Sequence, residues 1–168
     1  MYSYSSILKC LIVAVALSAV VFVVYVKIVK KDHADDWKPK RGLENVKIHM
    51  GCFRKTTLSR EAYSKLENLI FLDESEVRQY VTCVAIKWGI FSEQQGYNAE
   101  RLARQYNFGL PEEEALQIAQ SCIDDNSQKS PTDVWAFRGN QCVMASKIGD
   151  TIKAFMEAEM KKLPRGRM

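Results

Sequence analysis

Five cysteines, two histidines and a few clustered carboxylates are the residues of this 168-residue chain whose types could do chemistry. Cys10 lies inside an apolar N-terminal run, which leaves Cys52, Cys83, Cys122 and Cys142. They form no C-x-x-C pair, so neither a zinc knuckle nor a redox dithiol is indicated. An even number in a short exported domain reads instead as two disulfides. Four cysteines admit three pairings, and counting does not choose among them. Buried free thiols in a cytosolic protein are the plainer alternative.

Catalysis finds little support. His33 falls in the leader or the tail behind it, and His49 reads as a partly exposed surface side chain among apolar neighbours. Without a second histidine a Ser/His/Asp or Cys/His constellation is unsupported, and no glycine-rich phosphate loop is present. Asp124 and Asp125 read as solvated acids in a polar loop, and residues 112–114 as the acidic first turn of a helix. The expectation is a protein that is not an enzyme, with no catalytic residue, metal or cofactor.

The elements that must position these residues are helical. A composition of 47% hydrophobic and 26% charged residues is that of a folded domain, and the length suits one domain. Much of the formal charge of +4 sits in residues 1–34, which hold four lysines against Asp32. Beyond them 20 basic and 19 acidic residues nearly cancel, so nucleic acid is not an expected partner.

Residues 10–26 form an apolar run without a charge, preceded by Lys9. Residues 1–34 therefore read as a secretory signal peptide or apolar leader, with a membrane anchor through residues 10–29 as the alternative. Lys27, Lys30 and Lys31 behind the run favour the anchor's orientation. Residues 35–168 are expected to form the helical domain.

Within that domain Leu43, Val46, Ile48 and Met50 suggest a first short helix carrying Cys52. Ser59 is a candidate cap for a second, with Tyr63, Leu66 and Ile70 at helical spacing. Val77, Tyr80, Val81, Val84 and Trp88 recur at steps of three and four, which predicts a third helix. Asp73 or Ser75 should cap it and Gly89 should stop it. A polar loop at 92–96 and a fourth helix from Asn98, burying Leu102, Ala103 and Tyr106, come next. Pro111 and Pro131 open the fifth and sixth, and Gly139 within the sixth weakens it by about 1 kcal/mol relative to Ala. Asp150 is a candidate cap for the last. No stretch alternates as strands do, so the expected class is all-α: six or seven short helices stapled by two bridges. Nine large apolar side chains, from Trp88 to Met144, either fill a solid core or line a cavity, and composition does not separate the two.

The cysteine frame and its neighbourhood resemble those of the insect odorant-binding proteins, the pheromone and general odorant-binding family. Thirty residues separate Cys52 from Cys83, and 38 separate Cys83 from Cys122. The stretch Tyr80-Val81-Thr82-Cys83-Val84-Ala85-Ile86-Lys87-Trp88-Gly89-Ile90-Phe91 looks like the family's third helix and its exit. Glu112-Glu113-Glu114-Ala115-Leu116 through Cys122 looks like the fifth, and Trp135-Ala136-Phe137 through Cys142 like the sixth. The family usually carries two further cysteines where this chain has Gln79 and Asp133. Both belong to one bridge, so its loss leaves no orphan thiol, as in the branch called minus-C. Rigidity of the contact between third and sixth helices is thereby put in doubt.

The resemblance implies the pairings Cys52–Cys83 and Cys122–Cys142, and a helical shell around an apolar cavity. It implies a carrier of odorants, pheromones or fatty-acid-like molecules through extracellular fluid such as sensillar lymph or haemolymph. It also admits a chemosensory receptor and a second copy of the chain as partners. Helix faces guided by the resemblance give a pocket drawn from Tyr63, Leu66 and Ile70, then Tyr80, Val84, Trp88 and Phe91. Leu102, Tyr106 and Leu116, with Trp135, Val143 and Met144, complete it. A membrane-anchored helical domain that contacts another protein, without a small-molecule ligand, is the alternative.

Overall fold

The computed structural model describes residues 36–162. The leader expected at residues 1–34 lies outside them. Among the described residues no helix is long and apolar enough to cross a membrane.

Seven helices occur among these residues: α1 Gly42–Phe53, α2 Arg60–Glu67, α3 Ser75–Trp88, α4 Ala99–Gln105, α5 Glu112–Ser121, α6 Thr132–Met144 and α7 Lys147–Lys162. Local sequence chemistry starts and stops most of them. Ser59 Oγ accepts from the Ala62 amide at 3.1 Å, and Asn98 Oδ1 from the Arg101 amide at 2.9 Å. Each satisfies a donor that a first helical turn leaves open. At the end of α3, Gly89 adopts the left-handed conformation, with φ 71°, that a side chain would resist.

The structure departs from three of the local expectations. Glu74, not Asp73 or Ser75, occupies the N-cap of α3 and caps nothing with its side chain. Asp73 instead accepts from Arg78 Nη1 at 2.7 Å, and Ser75 Oγ from Gln79 Nε2 at 3.1 Å. Helix α7 begins at Lys147, ahead of Asp150, because Ser146 Oγ accepts from the Ile148 amide at 3.2 Å. The expected loop at 92–96 is the tip of a minimal antiparallel hairpin, β1 Phe91–Ser92 and β2 Gly96–Tyr97, with Phe91 opposite Tyr97.

Two bridges staple the helices. Cys52–Cys83 joins α1 to α3, and Cys122–Cys142 joins the end of α5 to α6, the pairings that the family likeness implied. The third-to-sixth-helix contact lacks a bridge and is closed in another way. Arg78 Nε donates to Asp133 Oδ2 at 3.2 Å, and the buried Phe137 packs with Val77 and Val81. Helix α6 runs unbroken through Gly139. A Cβ there would lie 2.6 Å from Tyr97 Cε2, so the missing side chain admits the Tyr97 ring.

Candidate functional site

Helix α1 turns three of its four apolar positions outward and packs only Ile48 of them against the core. Leu43, Val46 and Met50 are exposed by 68%, 54% and 47%, while Asn45 and His49 line the interior side, with the exposed Arg41 four residues before Asn45 at its rim. Spacing of four places residues on one helical face, so this polar stripe forms a single wall. What holds the helix in this rotation is hydrogen bonding across elements. Asn45 Oδ1 accepts from Trp88 Nε1 at 2.8 Å, and His49 Nδ1 shares a 2.7 Å hydrogen bond with the Tyr80 hydroxyl. Arg41 donates to the backbone carbonyls of Gln105 and Arg104, the latter at 3.1 Å. Buried polar groups lacking a partner are costly, so the side chains of α3 and the carbonyl end of α4 recruit the polar face of α1.

Behind this wall lies a cavity of about 350 Å³. Leu66 and Leu69 line it from α2 and its exit, Tyr80 and Trp88 from α3, Tyr106 and Phe108 from the end of α4. Met144, Ile152 and Met156 close the side formed by α6 and α7. The Trp88 ring meets His49 and Tyr106 edge-on, with centroids 5.3 and 5.4 Å apart. A second, smaller chamber of about 50 Å³ shares His49, Phe71, Tyr80, Trp88 and Tyr106 with it and reaches Val84, Tyr97 and Asn140.

The wall is almost uncharged. Burial lowers the His49 pKa from 6.5, which keeps the ring neutral near pH 7. Burial pushes the Tyr80 hydroxyl up to about 12 and raises that of Tyr106 further, so both stay protonated. The His49 ring nitrogen facing α3 is taken up by the Tyr80 hydroxyl, and among the described residues no cluster of three metal-ligating side chains occurs. Arg41, stacked 5.0 Å from the Phe108 ring centre, and Glu67 are the charged residues at the rim. Such a surface can bind an apolar molecule and offer it a few hydrogen bonds.

Of the thirteen residues expected around the pocket, Leu66, Tyr80, Trp88, Tyr106 and Met144 line the large cavity, and Val84 the small chamber. Phe91, Leu102, Trp135 and Val143 are buried in the surrounding core, with Leu116 packed against it. Tyr63 and Ile70 are exposed. Helix α2 ends at Glu67, before Ile70 can join its face, and Leu69 turns left-handed with φ 57°. That turn puts Leu69, instead of Ile70, on the cavity wall.

Sequence reasoning missed His49, expected at the surface, because apolar positions were used to orient α1. It also missed Asn140. A signal for Asn140 did exist: it interrupts the apolar set Phe137, Val143 and Met144 at helical spacing, and it is 6% exposed. Phe71, Gln105 and Ile152 had no such signal, since only the fold brings them to the cavity.

The chain is similar to known proteins. A model of the PBP/GOBP family matches residues 34–146. General odorant-binding protein 99a of Drosophila melanogaster is 26% identical over 105 residues, which cover 61% of this chain and 74% of the relative. Odorant-binding protein 22 of Aedes aegypti is 23% identical over 111 residues, 66% of this chain and 76% of the relative.

Proposed function

The chain belongs to the PBP/GOBP family, a family of binding and carrier proteins, not enzymes, and from that premise we propose that it carries small hydrophobic molecules in its internal cavity. The observation that supports this most is the cavity itself, about 350 Å³, walled by Trp88, Tyr80, Tyr106, Leu66 and Met144. That volume lies near the lower end of small-molecule sites, which span roughly 300–1,000 Å³. Burying about 300 Å² of a ligand at roughly 25 cal/mol per Å² supplies about 7–8 kcal/mol before association costs. Micromolar affinity requires about 8 kcal/mol net, so close packing and hydrogen bonds from the wall must add to this burial to offset association costs.

In this reading the protein works in extracellular fluid after its leader is removed, and loads odorant-like or fatty-acid-like lipophiles there. Delivery to a chemosensory receptor and pairing with a second copy are further steps of the same reading. The test is displacement of a fluorescent naphthylamine probe from the purified, disulfide-bonded protein across a panel of volatile lipophiles. Saturable micromolar displacement supports the carrier. A folded protein that binds neither probe nor panel favours the anchored interaction domain instead.

A further inference from the structure

The small chamber differs from the large cavity in one respect. Several of its polar groups are paired within the fold, and one fully buried donor is not. Trp88 Nε1 donates to Asn45 Oδ1 at 2.8 Å, and the Tyr97 hydroxyl donates to the Ala136 carbonyl at 2.8 Å. His49 and Tyr80 satisfy each other at 2.7 Å. Asn140 Nδ2 has no partner, although its residue is only 6% exposed and forms part of the chamber wall. Buried amide donors are normally paired, and leaving one open is destabilising. An Asn in the middle of α6 is also a poor helix former that an apolar residue would outperform.

We propose that Asn140 Nδ2 is the hydrogen-bond donor for a ligand oxygen, and that the preferred ligands are neutral carbonyl compounds, ketones or aldehydes, with a hydrocarbon chain. This rests on the carrier reading and names its ligand class. The carbonyl end occupies the chamber of about 50 Å³, which has room for a small oxygen-bearing group and little more. The chain extends into the adjoining cavity of about 350 Å³, past the shared rings of Tyr80, Trp88 and Tyr106. A carboxylate does not fit the inner position. No Lys or Arg lines the chamber, its histidine is neutral, and an unpaired buried carboxylate is strongly disfavoured. Arg41 lines only the larger cavity.

The experiment compares 2-nonanone with 2-methyl-1-nonene, in which a methylene replaces the carbonyl oxygen. Both displace the naphthylamine probe from the purified, disulfide-bonded protein and from an Asn140→Leu variant, which keeps the number and branching of side-chain heavy atoms and removes the donor. The ketone-to-alkene affinity ratio is expected to fall by about tenfold in the variant, the worth of one hydrogen bond to a buried amide. An unchanged ratio in a folded variant overturns the proposal, as does a ratio that instead collapses in Tyr106→Phe. Infrared difference spectra of the bound ketone on the unaltered protein give an answer that needs no variant. A carbonyl stretch lowered relative to the ketone in hexane, with the Asn140 side-chain amide resonance moved by ketone but not by alkene, supports it. A hexane-like stretch and an unmoved amide sink it. Binding of both ligands with no ketone signature removes this inference alone, whereas binding of neither removes the carrier reading and this inference with it.

Discussion

His49 Nδ1 and the Tyr80 hydroxyl lie 2.7 Å apart, joining the first helix to the third on the wall of the cavity. The Cys52–Cys83 bridge crosses between the same two helices three residues further along each. Covalent and hydrogen-bonded links thus fix one rotation of α1, the rotation that sends Leu43, Val46 and Met50 outward.

Stability should depend on pH through His49. Burial holds its folded pKa below the ordinary 6.5, so the unfolded chain takes up the proton first as pH falls. The favourable contribution of the neutral ring is complete above 6.5 and is lost as pH falls from there through the lowered folded value. Tyr80, at about 12, does not titrate in this range. Melting temperatures of the wild type and His49→Gln are expected to converge as pH drops from about 7.5 to about 5. Parallel curves would show that His49 does not carry this dependence.

Rotation of α2 makes a second prediction. Leu66 lines the cavity, while Tyr63 on the same helix is exposed and rests on Phe53 at 5.2 Å between ring centres. Leu66→Trp should fill the cavity and weaken probe binding by about tenfold or more, since lost ligand burial of about 50–60 Å² suffices for that. Tyr63→Ala should leave binding within about twofold. Equal effects at both positions would contradict the observed helix rotation.

At Gly139 two effects oppose each other. Alanine is favoured within a helix by about 1 kcal/mol. Its Cβ, however, would come within 2.6 Å of the Tyr97 ring, which the bond from its hydroxyl to the Ala136 carbonyl holds in place. Overpacking costs about 1–3 kcal/mol, so Gly139→Ala should destabilise on balance. Denaturant unfolding reads the sign directly, and a more stable variant would mean that Tyr97 moves aside freely.

The two bridges should not be equivalent. They span sequence separations of 31 and 20 residues, and on the chain-entropy model each contributes about 3–4 kcal/mol, the longer slightly more. Both bridges have one buried cysteine, Cys52 and Cys122, but Cys83 is half-buried where Cys142 is exposed, so replacing Cys52 and Cys83 by alanine leaves the larger packing defect. The Cys52→Ala/Cys83→Ala pair is therefore expected to lose more stability than Cys122→Ala/Cys142→Ala in denaturant melts.

Local sequence chemistry determined the helical class, a count of six or seven helices and several of their ends. Those are local properties: Ser59 and Asn98 cap their helices through side chains three residues from the amides they satisfy, and Gly89 supplies the left-handed exit. The sequence also carried the cysteine frame and, through the family likeness, which cysteines pair. Trp88, Tyr80, Tyr106, Leu66 and Met144 were legible as cavity residues because their helices show an apolar face. Tertiary structure alone decided which way α1 faces. Counting apolar side chains points Leu43, Val46 and Met50 inward, but Trp88, Tyr80 and the carbonyl ends of α4 present donors and acceptors that demand Asn45, His49 and Arg41. The same holds for Phe91, Trp135 and Val143, whose apolar character suits a core and a cavity equally well. Spacing along one helix says that side chains share a face. Which neighbour that face meets, and whether the neighbour fills the space or leaves it open, is set by elements distant in the chain.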